Sequence, residues 1–134
     1  MADIKKTALV YCDKQFDTVD GKTAAGLVRH SEIYAILGVI DSTLAGQDAG
    51  EVLGDKKNNI PIFTDLDEAL ESFAEMPSYY IYGKAPLEAS IPAEERLLVL
   101  EAMKKGMHII NGLHQFFSED QEFTQMAEEC GVEI

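Results

Sequence analysis

The chain has 134 residues, enough for one domain with a hydrophobic core and too few for two. Its 24 acidic residues outnumber 11 basic ones, and a net charge of −13 argues against nucleic acids or anionic membranes as partners. No apolar run approaches the roughly 20 residues that cross a bilayer, and the N-terminus lacks the apolar region of a signal peptide, so we expect a cytoplasmic protein.

Strands and helices are predicted to alternate along the whole chain. Short apolar runs rich in Val, Ile and Tyr predict strands at Thr7–Cys12, Tyr34–Ile40, Pro61–Phe63, Ser78–Tyr82 and His108–Asn111, with a stub at Val132–Ile134. Capping residues and helical spacing predict helices at Lys22–Ser31, Asp48–Leu53, Asp65–Ala74, Pro92–Lys105 and Glu119–Cys130. The predicted helix caps are Thr64 and Ser118, and the predicted helix stops are Gly106 and Gly131.

This alternation predicts an α/β fold, a three-layer Rossmann-like domain that spans residues 1–134. Right-handed crossovers give a mostly parallel sheet of five or six strands with the first strand in the centre. Ligands of such sheets bind beyond the carboxyl ends of the strands. The residues that follow each strand are therefore the candidates for a binding site.

The turn after the first strand resembles a phosphate-binding turn. An apolar strand leads into Gly21, Lys22 and Thr23, where a helix begins and offers backbone N–H groups to a phosphate. The turn lacks the G-x-G-x-x-G pattern, and Phe16 stands where a P-loop has its first glycine. We predict that these three residues bind the phosphate of a nucleotide-type ligand, with NAD or a CoA-type nucleotide as candidates. Alternatively, Asp20 caps the helix and Gly21 only makes its tight entry.

Asp41 follows the second strand, 20 positions after Gly21. An acid at this position suits the hydroxyl groups of an unphosphorylated ribose, which would favour NAD over NADP. We predict that Asp41 and Ser42 bind the ligand close to Gly21, because consecutive strands of a β-α-β unit bring their carboxyl ends together. The alternative is a turn role for Asp41, supported by Ser42 and Thr43.

The last strands supply the opposite wall of the predicted cleft. Gly83 and Gly112 follow two of them and are predicted to contact the ligand, and His114 is the candidate catalytic acid or base. A capping or surface role for His114 is the alternative. No nucleophile–base–acid set is visible in the sequence, and Cys12 and Cys130 lack the spacing of a zinc site, so no metal is predicted.

Three segments resemble one known family. The runs Phe16–Leu27, Val39–Glu51 and Gly112–Phe116 look like the N-terminal Rossmann-like domain of DUF1611 proteins, which are two-domain proteins of bacteria and archaea. The resemblance covers nearly the whole chain. It implies a larger protein with a C-terminal P-loop domain, which these 134 residues do not contain. One branch, the DgcN type, is linked to D-glutamate N-acetylation, which implies acetyl-CoA as a substrate of the complete protein.

Two functions remain open at this stage. The first is a Rossmann-like domain that binds a nucleotide-type ligand, belongs to or derives from a larger two-domain protein, and is not a complete catalyst alone. The second is a non-catalytic structural or oligomerisation domain that docks a P-loop partner domain and can form a homo-oligomer. Asp17 and Asp20 would favour the second function if their side chains point into the cleft.

Overall fold

The computed structural model describes residues 6–18, 21–31, 33–83, 92–111 and 120–134. Within these residues, strands and helices alternate as the sequence predicts. The strands are β1 (Lys6–Tyr11), β2 (Tyr34–Ile40), β3 (Ile62–Phe63), β4 (Tyr79–Tyr82) and β5 (His108–Asn111). The helices are α1 (Lys22–Arg29), α2 (Ala49–Val52), α3 (Leu66–Ser72), α4 (Ala93–Lys104) and α5 (Gln121–Cys130).

All five strands are parallel and their order is β3-β2-β1-β4-β5. The central position of β1 confirms the predicted topology. The chain proceeds outward from β1 to β3 on one side and from β4 to β5 on the other. The order therefore reverses between β1 and β4, and this is the switch point at which such folds bind ligands.

The predicted sixth strand at Val132–Ile134 is not a strand in the structure. The main-chain N–H of Ile109 donates to the carbonyl oxygen of Glu133 at 2.8 Å, and the N–H of Glu133 donates to Nδ1 of His108 at 2.9 Å. Because the second of these bonds goes to a side chain, no regular ladder forms. The last residues lie beside β5 without extending the sheet.

The core has two parts, one on each face of the sheet. Alternate residues of β1 face opposite ways, so Leu9 and Tyr11 pack on one face while Val10 packs on the other. The first face meets α3, α4 and α5, and the second meets α1. Buried strands with apolar side chains on both faces are typical of parallel sheets between helix layers.

Aspartates begin three of the helices. The carboxylates of Asp48, Asp65 and Asp120 accept the N–H of the residue three positions later in α2, α3 and α5. The predicted cap Thr64 is therefore one position early, because the side chain of Asp65 accepts the N–H of Glu68 in the first turn of α3. The predicted cap Ser118 lies outside the described residues. Gly131 ends α5 with a φ of 71°, as predicted.

Arg96 joins α4 to α5. Its guanidinium lies 2.5 Å from the carboxylate of Asp120 and 2.6 Å from that of Glu122, and it stacks over the ring of Phe123 with 4.3 Å to the ring centroid. The hydrogen bond from Arg96 holds the pKa of Asp120 below its ordinary value. The two helices are thus linked by charge as well as by apolar packing.

We expect Arg96→Met to destabilise the domain by about 1 kcal/mol at pH 7, because methionine keeps the packing and removes the charge. Because the folded-state pKa of Asp120 is lowered, its contribution is present above the ordinary pKa of 3.8 and is lost as the pH falls through the folded value. The difference between wild type and variant in urea unfolding should therefore shrink below pH 4. Arg29→Met is the control, since Arg29 and its partner Asp55 are about half exposed. Equal effects of both variants would contradict this assignment.

Candidate functional site at the carboxyl edge of the sheet

Tyr11 and Tyr82 are the last residues of β1 and β4, and they pair with each other at the switch point. The main-chain N–H of Gly83 donates to the carbonyl oxygen of Tyr11 at 2.8 Å, so the pairing continues beyond the end of β4. Next to it, Sγ of Cys12 lies 3.7 Å from the carbonyl oxygen of Gly83. The two strand ends are therefore held together at the point where the predicted cleft begins.

Two carboxylates tie the loop after β1 to the loop after β2. Asp13 Oδ1 accepts the N–H and the hydroxyl of Ser42, each at 2.7 Å. In the opposite direction, Asp41 Oδ2 accepts the main-chain N–H of Phe16 at 3.2 Å. Asp41 Oδ1 accepts the N–H and the hydroxyl of Thr43 at 2.9 and 2.6 Å. These bonds fix the shape of the edge beside β1 and β2.

The structure gives Asp41 a turn role instead of the predicted ribose-binding role. Asp41 is completely buried, and each of its carboxylate oxygens accepts a hydrogen bond from the protein. The bond to the N–H two residues ahead is that of an Asx turn, and the complete burial of Asp41 leaves no side-chain oxygen at the surface. Ser42 likewise donates its hydroxyl to Asp13. An Asp41 contact that would favour NAD over NADP therefore has no support in this geometry.

Gly21 makes the tight entry into α1. A Cβ at this position would lie 2.1 Å from the carbonyl oxygen of Gln15 and 2.9 Å from that of Phe16. Gly21 and Asp41 thus both lie against the main chain of Phe16, as expected for two residues at one edge. Gly83 also allows a close approach, since a Cβ there would lie 3.1 Å from Cβ of Ala24.

The start of α1 differs from the aspartate-capped helices. Gly21 is its N-cap residue and has no side chain to accept a hydrogen bond, and none of the residues in the first turn is acidic. Lys22 is exposed at this end, and Thr23 follows it in the first turn. The N-terminal end of a helix carries a partial positive charge, so Lys22 adds to a field that favours anions. The other predicted site residues, Gly112 and His114, lie outside the described residues.

A shallow groove runs from this end along α1. It measures about 490 Å³ and is lined by residues that include Lys22, Gly26, Arg29 and Leu53. Arg29 bridges α1 to the residues that follow α2. Its Nε lies 2.8 Å from the carboxylate of Asp55, and its Nη2 donates to the carbonyl oxygen of Leu53 at 3.1 Å. The groove gives an extended ligand room between α1 and the end of α2.

A buried carboxylate lies at the switch point on the opposite face of the sheet from α1, beneath α4. Glu95, in the first turn of α4, is 5% exposed. Its Oε2 accepts the hydroxyl of Tyr11 at 3.0 Å, and its Oε1 accepts the hydroxyl of Tyr82 at 2.5 Å. The two tyrosine rings stack with 5.8 Å between their centroids. We call Tyr11, Tyr82 and Glu95 the edge triad.

Burial is the main cause that raises the pKa of Tyr11 and of Tyr82, and the nearby Glu95 raises both further. Both hydroxyls therefore stay protonated and donate to Glu95 at neutral pH. Tyr80 packs beside Tyr11 with 6.1 Å between the ring centroids, and its hydroxyl has no hydrogen-bond partner among the described residues. Burial raises the pKa of Tyr80 as well.

The sequence prediction did not single out the edge triad. In the sequence, Glu95 is one acid near the start of a predicted helix, where an acid is common, and Tyr82 is the last residue of a predicted strand. One signal was available, because Glu95 shares a helix face with Val99 and Ala102, both fully buried. An acid on the apolar face of a helix is unusual, since buried carboxylates are rare unless they are paired.

The described part of the chain has neither a metal-binding cluster nor a membrane-spanning helix. No group of three or more His, Cys, Asp or Glu side chains is arranged to hold a metal ion there. None of the helices in the described ranges has the length and apolarity that a membrane span requires.

The strand order and the loop-built edge define this chain as a Rossmann-like α/β domain. The sequence model of DUF1611_N, described as a domain of unknown function with a Rossmann-like fold, matches residues 42–134. Because this match covers well over half of the sequence, the chain belongs to that family, which confirms the resemblance seen in the sequence.

A solved relative matches a larger share of the chain. The structure of a DUF1611 family protein from Anabaena variabilis ATCC 29413 superposes with a TM-score of 0.78 and 28% identity. The alignment covers 91% of this chain and 34% of that protein, so the chain spans about a third of the length of this relative. No functionally curated protein matches the chain.

Proposed function

We propose that this domain binds a nucleotide-type ligand of the NAD or CoA class at the carboxyl edge of the sheet, and that it is not a complete catalyst alone. The observation that carries the proposal is the start of α1. This helix begins with Gly21 and Lys22 next to the switch point, whereas α2, α3 and α5 begin with a carboxylate that would repel a phosphate.

In this proposal, the ligand phosphate lies over Gly21–Thr23 and accepts hydrogen bonds from main-chain N–H groups at the start of α1. Lys22 supplies a positive charge in a chain whose net charge is −13. The groove along α1 accommodates the extended part of the ligand. The buried position of Asp41 removes the predicted basis for a preference between NAD and NADP, so we expect similar affinities for the two.

The test is thermal unfolding in the presence of NAD, NADP, CoA, acetyl-CoA, ATP and GTP. At a hundredfold excess over its dissociation constant, a ligand stabilises the folded state by about 2.7 kcal/mol. We expect at least one of these nucleotides to raise the melting temperature of the wild type. Lys22→Glu should abolish the increase, and Lys57→Glu, which changes an exposed lysine outside this edge, should retain it. An unchanged response of Lys22→Glu would remove α1 from the binding site.

A second candidate function is a structural domain that docks a P-loop partner domain or a second copy of itself. The observation that favours it is a partly exposed aromatic patch at the amino end of the sheet on the α1 side, where the ring of Tyr79 contacts Tyr34 and His108 with centroid distances of 5.6 and 5.2 Å. Exposed Asp17, close to the start of α1, agrees with this function because it disfavours a phosphate. A melting temperature unchanged by all six nucleotides would favour this candidate.

A further inference from the structure

We infer that Gly26 makes room for the base of the bound nucleotide, which lies over this glycine in the groove along α1. The inference rests on the proposed nucleotide-type ligand, and it names the part of the ligand that the groove holds. It gives Gly26 a role in binding and none in a reaction. A side chain at this position should therefore weaken binding without weakening the fold.

Gly26 faces the groove from the middle of α1. Four residues at helical spacing form the face of α1 that lines the groove, namely Lys22, Ala25, Gly26 and Arg29. Gly26 is exposed and lies one turn beyond Lys22, about 6 Å along the helix axis. With the ligand phosphate over Gly21–Thr23, this separation leaves space for the ribose between the phosphate and a base over Gly26.

The fold does not require glycine at this position. Glycine inside a helix is less favourable than alanine, because it loses more conformational freedom on folding. Among the nine described glycines, Gly26 alone has neither a positive φ nor a close contact, since a Cβ there would meet nothing within 4 Å in the described part of the chain. The backbone and the packing thus leave this glycine unexplained, and the close approach of a ligand to the helix backbone explains it.

The lining of the groove favours an uncharged part of the ligand. Val52 and Leu53, which form the wall opposite α1, are apolar and only partly buried. At the far end, the guanidinium of Arg29 already donates to Asp55 and to the carbonyl oxygen of Leu53, so it is not arranged to hold a second phosphate. Exposed Asp17 also lines the groove and disfavours one. A purine base, which has apolar faces and occurs in all six nucleotides named above, matches this lining.

A side chain at position 26 would occupy the space of the base. Side chains on a helix lean toward its N-terminus, so a leucine here would extend toward Lys22 and cover the floor of the groove. It would also shield the apolar surface of Leu53, and leucine favours a helix more than glycine does. We therefore expect Gly26→Leu to exclude the ligand while the free domain stays folded.

The experiment measures the dissociation constants of wild type, Gly26→Ala, Gly26→Leu and Gln125→Leu for the six nucleotides by isothermal titration calorimetry. The melting temperature of each protein is measured without ligand. Gln125 is exposed on α5, which packs on the other face of the sheet, so Gln125→Leu adds the same side chain outside the groove and is the matched control. We expect binding to weaken at least tenfold in Gly26→Leu and at least threefold in Gly26→Ala, with the control within twofold of wild type. Both Gly26 variants should melt at or above the temperature of wild type.

Loss of affinity without loss of stability is the result that separates a binding role from a structural one. If wild type binds and both Gly26 variants bind within twofold of it, or if Gln125→Leu loses as much affinity as Gly26→Leu, the inference is wrong and the proposed function stands. If Gly26→Ala melts below wild type without ligand, the glycine serves the fold and the inference is also wrong. Should Gly26→Leu fail to fold, the dissociation constant of Gly26→Ala decides. If wild type binds none of the six nucleotides, the inference and the proposed function both fail.

Discussion

Replacing Asp41 with alanine is expected to destabilise the domain by about 3 kcal/mol, since hydrogen bonds to a buried charged group contribute roughly 1.5–3 kcal/mol and an unpaired buried donor costs a similar amount. The carboxylate accepts the main-chain N–H groups of Phe16 and Thr43 and the hydroxyl of Thr43, and it is completely inaccessible to solvent. Alanine leaves the N–H of Phe16 without this acceptor. Chemical denaturation monitored by circular dichroism measures the change.

Two further variants test the cause of this loss. Asp41→Asn keeps one amide oxygen as an acceptor and should lose less stability than Asp41→Ala. Asp17→Ala changes an exposed acid of the loop after β1 and should stay within about 0.5 kcal/mol of wild type. If Asp41→Ala and Asp17→Ala unfold at the same denaturant concentration, the buried carboxylate does not hold the loop after β1 to the loop after β2.

Gly21→Ala is the second substitution with a large expected effect, a loss of about 2–3 kcal/mol, in the range of core changes that force the main chain to move. The added methyl group would lie 2.1 Å from the carbonyl oxygen of Gln15, a main-chain atom that cannot rotate away. The φ of Gly21 is −97°, which alanine adopts freely, so the expected loss comes from the contact and not from backbone strain. Thermal unfolding without ligand provides the measurement.

Gly26→Ala is the matched control for this prediction. Gly26 lies inside α1, and a Cβ there would meet no other atom within 4 Å. Glycine inside a helix is less favourable than alanine by roughly 0.5–1 kcal/mol, so this variant should be more stable than wild type. The two variants should therefore shift the melting temperature in opposite directions. A shift in the same direction would contradict the packing described around Gly21.

Most of the fold could be predicted from local patterns in the sequence. The runs of Val, Ile and Tyr that mark β1 to β5 are buried on both faces in a parallel sheet, so the pattern and the fold have the same cause. Gly131 and Pro92 mark helix ends through backbone geometry that depends on neighbouring residues only. Thr64 was a wrong cap because the choice between adjacent Thr64 and Asp65 depends on the approach of the chain to α3, which the sequence does not specify.

The site was harder to predict because its properties depend on tertiary contacts. Asp41 occupies the expected position, but its availability depends on the N–H of Phe16, a residue 25 positions away. The partnership of Tyr11 with Glu95 spans 84 positions and follows only from the docking of α4 on the sheet. The spacing of glycines and acids could indicate which edge carries the site, whereas the functional side chains follow from the packing.

A nuclear magnetic resonance titration of the 15N-labelled domain with NAD and with CoA tests the central claim, that a nucleotide-type ligand binds at the carboxyl edge of the sheet, over the start of α1. We expect shift changes at the amides of Gly21, Lys22 and Gly83 with at least one of the two ligands. The amides of Ile33 and Met76, which precede β2 and β4 at the opposite edge, should not change. An absence of changes with both ligands, or changes centred on Ile33, Met76 and Tyr79, would contradict binding at this site.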